Sequence, residues 1–210
     1  QDGIERVAGG PNLKRSVMIA AICTLLSCGF ARASDCYWHG YLGNDYAVCT
    51  FDPRKDDIRL YNADATGKAY GGFDPLRRQL WAERRVLLFA MNAGMYHSDL
   101  SPVGLHVEQG VEKHGLVRGG GWGNFFLRPN GVFYIGEDGK AGVIVTDAYA
   151  ESGLAPRMAT QSGPMLLIDG KIHPSFLPQS DSLKLRNGVG VDDKGRVVFV
   201  VTRGPVRFYD

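Results

Sequence analysis

The stretch NFFLRPNGVFYIGEDGKAGVIVT, residues 124–146, decides how this chain is read as a fold. Two apolar runs, Val132 to Ile135 and Gly142 to Thr146, flank Glu137-Asp138-Gly139, and Pro129-Asn130-Gly131 introduces the first of them. Asn-Gly and Asp-Gly steps supply the positive φ that tight hairpins require, so the stretch reads as neighbouring antiparallel strands. The same turn signal recurs on either side, at Glu108-Gln109-Gly110, Asp169-Gly170 and Asp193-Lys194-Gly195.

Further strands are expected at Tyr46 to Phe51, Ile58 to Asn62, Arg85 to Met91, Gly104 to Glu108, Phe125 to Arg128, Met165 to Ile168, Lys171 to His173, Gly188 to Val191 and Val197 to Thr202. One helix is well signalled. Asp74 is its expected cap, Pro75 its first residue, and Leu76, Leu80 and Trp81 an apolar stripe running through to Arg85. A second, shorter helix is expected from Asp147 to Gly153. The class is α+β: a single domain of mostly antiparallel or mixed β-sheet with a few interspersed helices.

The chain has 210 residues, 44% hydrophobic and 22% charged, enough apolar material for one globular core. Its first part reads differently. Lys14-Arg15, the apolar Val17 to Ile22 with Leu25-Leu26, and Ala31-Arg32-Ala33 make the basic, apolar and small-residue regions of a secretory signal, preceded by an upstream extension and cleaved after Ala33. The expected domains are therefore residues 1–33, the leader, and residues 34–210. A membrane anchor is the weaker reading, because Ser27, Cys28 and Gly29 break the apolar run. A lipoprotein anchored at Cys28 is a lesser alternative, with Leu26 a poor fit to it.

Removing residues 1–33 takes four basic and two acidic residues and leaves 20 of each, so the formal charge of +2 leaves with the leader. A neutral chain gives no support for nucleic-acid binding, which needs a basic face to displace counter-ions from phosphates. Of four cysteines, Cys36 and Cys49 remain. In an exported, periplasmic protein they most simply form a disulfide, with two free buried thiols as the alternative. No His pair has zinc spacing and no loop has calcium spacing, so neither metal nor cofactor is expected.

Three polar breaks beside apolar runs are candidates for chemistry. At the first, Asn92-Ala93-Gly94, a carboxamide and the backbone N–H groups after it can point at a ligand oxygen; an Asx-turn that only reverses the chain reads equally well. His97 and Asp99 follow as an acid/base pair or as a solvated loop. At the second, Gln161-Ser162-Gly163-Pro164, no Gly precedes Gln161 to make a hydrolase elbow. Ser162 is a hydroxyl for hydrogen bonding, or part of a plain Ser-Gly-Pro turn. At the third, Arg186-Asn187-Gly188, the Arg186 fork matches phosphate oxygens, or else is a surface ion-pair partner.

Taken together, four blocks resemble the phosphodiester glycosidase domain family, whose members include the uncovering enzymes that remove N-acetylglucosamine from a glycosyl phosphodiester. They are MNAGMYHSDLSPVGLHVEQG (91–110), NFFLRPNGVFY (124–134), TQSGPMLLIDG (160–170) and RNGVGVDDKGRVVFVV (186–201). The likeness is to the small bacterial exported members. It implies an enzyme that hydrolyses the bond between an anomeric carbon and a phosphate, with Asn92, Gly94, Ser162, Gly163, Arg186 and Asn187 around one cleft. The substrate would be a small molecule or glycan carrying a phosphodiester, with neither a nucleic-acid partner nor a stable membrane span. Family members continue into a helix and a Leu-Asp-Gly strand end, so the domain is expected to be truncated at its C-terminus and to lack a carboxylate found there.

Within the chain, Glu108, Asp99 and Asp169 are the candidate carboxylates in declining order, with Asp169 most simply a turn residue. The catalytic set read from the sequence is thus Asn92, Ser162, Arg186 and Glu108, with Gly94, His97, Gly163 and Asn187 at the substrate. The alternative is a noncatalytic envelope module that grips a glycan through aromatic residues such as Tyr96, Trp122 and Phe125.

Overall fold

Strands far apart in sequence pair into two antiparallel sheets in the computed structural model, which describes residues 35–210. The leader read at residues 1–33, including Cys28, lies outside the described residues. In chain order the elements are β1 (Asp35–Tyr41), β2 (Asn44–Phe51), α1 (Phe73–Ala82), β3 (His106–Glu108), β4 (Val111–His114), β5 (Gly131–Ile135), β6 (Ala141–Val145), α2 (Thr146–Glu151), β7 (Met158–Ser162), β8 (Leu167–Ile168), β9 (Lys171–Ile172), β10 (Asn187–Val191) and β11 (Val197–Thr202). One sheet runs β1-β2-β11-β10 and the other β4-β3-β7-β5-β6, while β8 and β9 make a small separate hairpin. All pairings are antiparallel, and the class is α+β as expected.

The deciding stretch folds as β5 and β6. Their turn closes through Gly136 N–H donating to Lys140 O at 2.8 Å, with Gly139 at φ 75°. The β5 side chains are apolar on both faces because both faces are covered. Val132 and Tyr134 meet Leu105, Val107, Ala159 and Tyr149, the last from α2, whereas Phe133 and Ile135 meet Met158 and Val197. That second cluster joins the sheets, since Val197 and Phe199 come from β11 and Val189 and Val191 from β10.

β1 and β2 turn through Leu42 and Gly43, both at positive φ (47° and 78°), a hairpin geometry matched to strand twist. Cys36 and Cys49 stand opposite each other in this hairpin and form a disulfide that ties the start of the described chain to β2. No described helix is long and apolar enough to cross a membrane.

Several expectations are corrected. Ile58 to Asn62 and Arg85 to Met91 form no strand. They cover the seam between the sheets: Ile58 and Leu60 pack on the Met158 and Val197 cluster, and Phe89 lies 5.5 Å from Phe51 and 5.4 Å from Phe199. Apolar content reports that a segment packs on the core, and these segments do so without a hydrogen-bonded ladder. Phe125 to Arg128 is likewise no strand, because Asn124–Phe126 turns as a 3-10 helix with Phe125 buried.

Met165 to Ile168 shortens to Leu167–Ile168. α1 ends at Ala82 rather than Arg85, with Arg84 in the left-handed region at φ 59°. Asp74 is not its cap: it lies inside the first turn and pairs with Arg77 at 3.1 Å. Trp81 leaves the buried stripe and is exposed, while Leu76 and Leu80 stay within it. β1, β4 and β7 were not expected as strands; β7 is central to its sheet.

Candidate functional site

The site is organised by β7, Met158-Ala159-Thr160-Gln161-Ser162, a central strand with buried polar side chains. Such residues are tolerated inside only where every polar group finds a partner. Gln161 does so with four contacts. Its Oε1 accepts from Leu105 N (3.2 Å) and Val117 N (3.0 Å), and its Nε2 donates to Val117 O (2.7 Å) and Thr146 Oγ1 (3.1 Å). The carboxamide thus acts as an extra peptide group for the loop at Val117. Gln161 belongs to the scaffold.

Alternation sends Thr160 and Ser162 to the opposite face from Gln161. His106 stands directly across from Thr160 in the β3–β7 pair, so His106, and Glu108 two residues on, share that face. The Thr160 hydroxyl accepts from Gly94 N–H at 3.0 Å and docks the Asn92-Ala93-Gly94 segment against the strand. Gly94 has to be glycine, because a Cβ there would lie 2.3 Å from Gln161 O and 2.5 Å from Thr160 Oγ1. Gly163 is equally constrained: a Cβ would lie 2.4 Å from Phe125 O. Among the described residues the Ser162 hydroxyl makes no hydrogen bond, and the side chain is half-buried.

The third break joins the first. Asn187 Nδ2, at the start of β10, donates to the main-chain Asn92 O at 3.1 Å, and Asn92 Nδ2 donates to Tyr96 Oη at 3.3 Å. Leu166, just past β7, lies against Gly188, where a Cβ would be 3.3 Å from its Cδ1.

Beside Asn187, Arg186 is half-buried and firmly held. Nε donates to Val206 O and Nη2 to Ser182 O, each at 3.0 Å, and its guanidinium lies 3.5 Å above the Phe208 ring. Phe208 stacks in turn on Phe176, and Phe176 on His173. Among the described residues no carboxylate pairs with Arg186, so it is not the surface ion-pair partner that was its other reading. Burial lowers its pKa from the ordinary arginine value, the expected sign for a desolvated cation. Two of its nitrogens are committed to carbonyls, so that Nη1 alone has no hydrogen bond among the described residues and the whole fork is not free.

The three candidate carboxylates separate clearly. Asp99 sits in an exposed loop, where the hydroxyl (2.6 Å) and N–H (3.0 Å) of Ser101 hold its carboxyl below the usual range. No hydrogen bond joins it to His97, whose backbone closes the same turn. Asp169 is an exposed turn residue at φ 50° between β8 and β9. Glu108 is different. Its side chain is 14% exposed and its Oε1 accepts from Nε2–H of His106 at 2.7 Å, with His106 itself 7% exposed.

Asn92, Gly94 and Asn187 are therefore brought into one contact chain, with Arg186 next to Asn187. Gly94 adjoins the β7 face that also carries Ser162 and the His106–Glu108 pair. His97 lines an adjacent hollow together with Tyr96, and Tyr96 is joined to Asn92 by its hydroxyl. His106 and Thr160 are the residues missed from the sequence. The signal for His106 was present in His106-Val107-Glu108, where two residues' spacing puts both side chains on one face of a strand. Among the described residues no three His, Cys, Asp or Glu side chains gather as a metal centre.

A family model described as phosphodiester glycosidase matches residues 86–209. The chain is also similar to the protein named "Uncharacterized protein YigE" from Escherichia coli (strain K12), with 37% identity over 199 residues that span 95% of this chain and 76% of that one. The matched span contains all three polar breaks.

Proposed function

This chain belongs to the phosphodiester glycosidase family, and from that premise we propose that it is a hydrolase cleaving a sugar-1-phosphodiester at the anomeric carbon. The observation that carries the proposal is a cation with no carboxylate partner among the described residues: Arg186 is held by two carbonyls and an aromatic ring, beside the Asn187 and Asn92 amides. A fixed, partly desolvated guanidinium next to amide donors suits the oxygens of a phosphodiester.

A phosphate monoester is a far better leaving group than a sugar alkoxide, so a general acid contributes little. Two tasks remain: stabilising an oxocarbenium-like transition state and the charge growing on the departing phosphate. Arg186 and Asn187 serve the second. As the bond from the anomeric carbon to phosphate oxygen breaks, its electron pair leaves with the phosphate, next to the guanidinium.

For the first task the candidate carboxylate is Glu108, oriented by His106 on the sheet face that carries Thr160 and Ser162, though it stands opposite Met158, at the other end of β7 from Ser162. It either takes the proton of the attacking water or itself bonds to the anomeric carbon before water replaces it. Ser162 Oγ and Asn92 Oδ1 supply polar groups with no hydrogen bond among the described residues, while Gly94 and Gly163 let backbone approach closely. The Cys36–Cys49 bridge supports an exported, periplasmic setting, since such cross-links persist in oxidising compartments.

Incubation with a panel of chromogenic glycosyl-1-phosphodiesters should release sugar and a phosphate monoester. Arg186→Gln should lower kcat/KM by about 10²- to 10³-fold, the loss typical of one charge-stabilising donor. No turnover above background across the panel rejects the proposal.

A further inference from the structure

A hollow of about 390 Å³ opens beside Asn92, within the range of roughly 300–1,000 Å³ usual for small-molecule sites. Phe125 and Phe126 line its depth, His97 and Asn124 add polar groups, and Tyr96 and Trp122 stand at its rim. Trp122 is 97% exposed, with no hydrogen bond or ring contact among the described residues. Its neighbours turn it outward. Gly121 lies flat against Phe126, where a Cβ would be 2.5 Å from the ring, and Gly123 takes φ 89°. The loop is thus built to hold an indole away from the core. Folding gains nothing from that indole's area, which leaves its face available to a ligand.

The hollow continues into the candidate site. Tyr96 lines it and accepts from Asn92 Nδ2, and Asn92 O accepts from Asn187 Nδ2, next to Arg186. A molecule seated on both would present an anion at Arg186 and an uncharged body at the aromatic rim, with its scissile bond beside Asn92. We propose that this hollow is the subsite for the sugar ring, with one pyranose stacked on Trp122 and Tyr96. A pyranose has the matching surface, C–H groups on its faces and hydroxyls at its edge, the latter within reach of polar side chains such as His97 and Asn124. A purely apolar ligand would leave those polar groups without partners. This assignment rests on the hydrolase reading above and names the part of the substrate that this hollow takes.

The probes are uncharged methyl glycosides of glucose, galactose, mannose and their 2-acetamido forms, observed by saturation-transfer NMR with the whole protein. Ring C–H protons of at least one glycoside should receive saturation. Trp122→Ala should weaken that binding by roughly fivefold, with an unchanged melting temperature because the indole is exposed. Absence of binding by every glycoside, or equal binding to Trp122→Ala, overturns the subsite. Glycoside binding that depends on Trp122, with no phosphodiester turned over, upholds the subsite and removes the hydrolase reading. Turnover at an unchanged kcat/KM in Trp122→Ala removes the subsite and leaves the hydrolase.

Discussion

At the scale of single residues, the site is held by close approach as much as by hydrogen bonds. Gly94 sits where a Cβ would meet the carbonyl oxygen of Gln161, a backbone atom that cannot swing aside. Gly94→Ala is expected to cost about 1–3 kcal/mol of stability, the usual range for overpacking, and to abolish turnover; urea denaturation and the phosphodiester assay read the two effects. Thr160→Val keeps the shape but leaves Gly94 N–H without its acceptor, at about 1–3 kcal/mol, whereas Thr160→Ser keeps the hydroxyl and should lose less. Equal losses in the two variants would remove the hydrogen bond from the account. Asn92, Gly94 and Asn187 were singled out in the sequence as amide and small residues beside apolar runs, although of the three only Asn187 lies at a strand end. Thr160 was not, because only the β3–β7 register sets it opposite His106.

At the scale of elements, apolar content and hydrogen bonding proved separable. Val197 to Thr202 and Val132 to Ile135 are strands as read, with β-branched and aromatic residues in a ladder. Arg85 to Met91 is an apolar run of the same kind, yet its Phe89 packs against Phe51 and Phe199 without strand pairing. Conversely, β7 looked like a polar break and is a central strand. Its Gln161 satisfies Leu105 and Val117 backbone groups that have no strand partner there, so Gln161→Leu should cost about 3–5 kcal/mol in equilibrium unfolding. A loss below 1 kcal/mol would mean that the loop at Val117 finds other partners. The Cys36–Cys49 bridge closes 13 residues, and Cys36→Ser with Cys49→Ser should cost about 3 kcal/mol, measured as a lower denaturation midpoint.

At the scale of the whole molecule, the two sheets meet through Phe133, Ile135, Met158 and Val197, while tight turns around them are stapled by carboxylates. Arg54 holds Asp52 well below the usual carboxylate range, the Thr66 hydroxyl lowers Asp64, and Arg196 N–H lowers Asp192. Groups with depressed folded-state values stabilise above the unfolded value of about 4 and lose that contribution as pH falls through the folded one. The melting temperature should therefore hold between pH 7 and 5 and decline below about pH 4. A rise in that range would contradict the turn assignments.

The order of residues by itself determined the class, the hairpin at β5 and β6 and the family, and made the Cys36–Cys49 bridge the simpler of two readings. Each rests on local chemistry: turn residues with positive φ, apolar runs between them, and short blocks whose order and spacing carry the resemblance. Only the tertiary structure decided that β7 is central, that His106 stands opposite Thr160, and that Arg186 spends its Nε on Val206 O. Those facts depend on registers and contacts between segments distant in sequence, which no local pattern encodes.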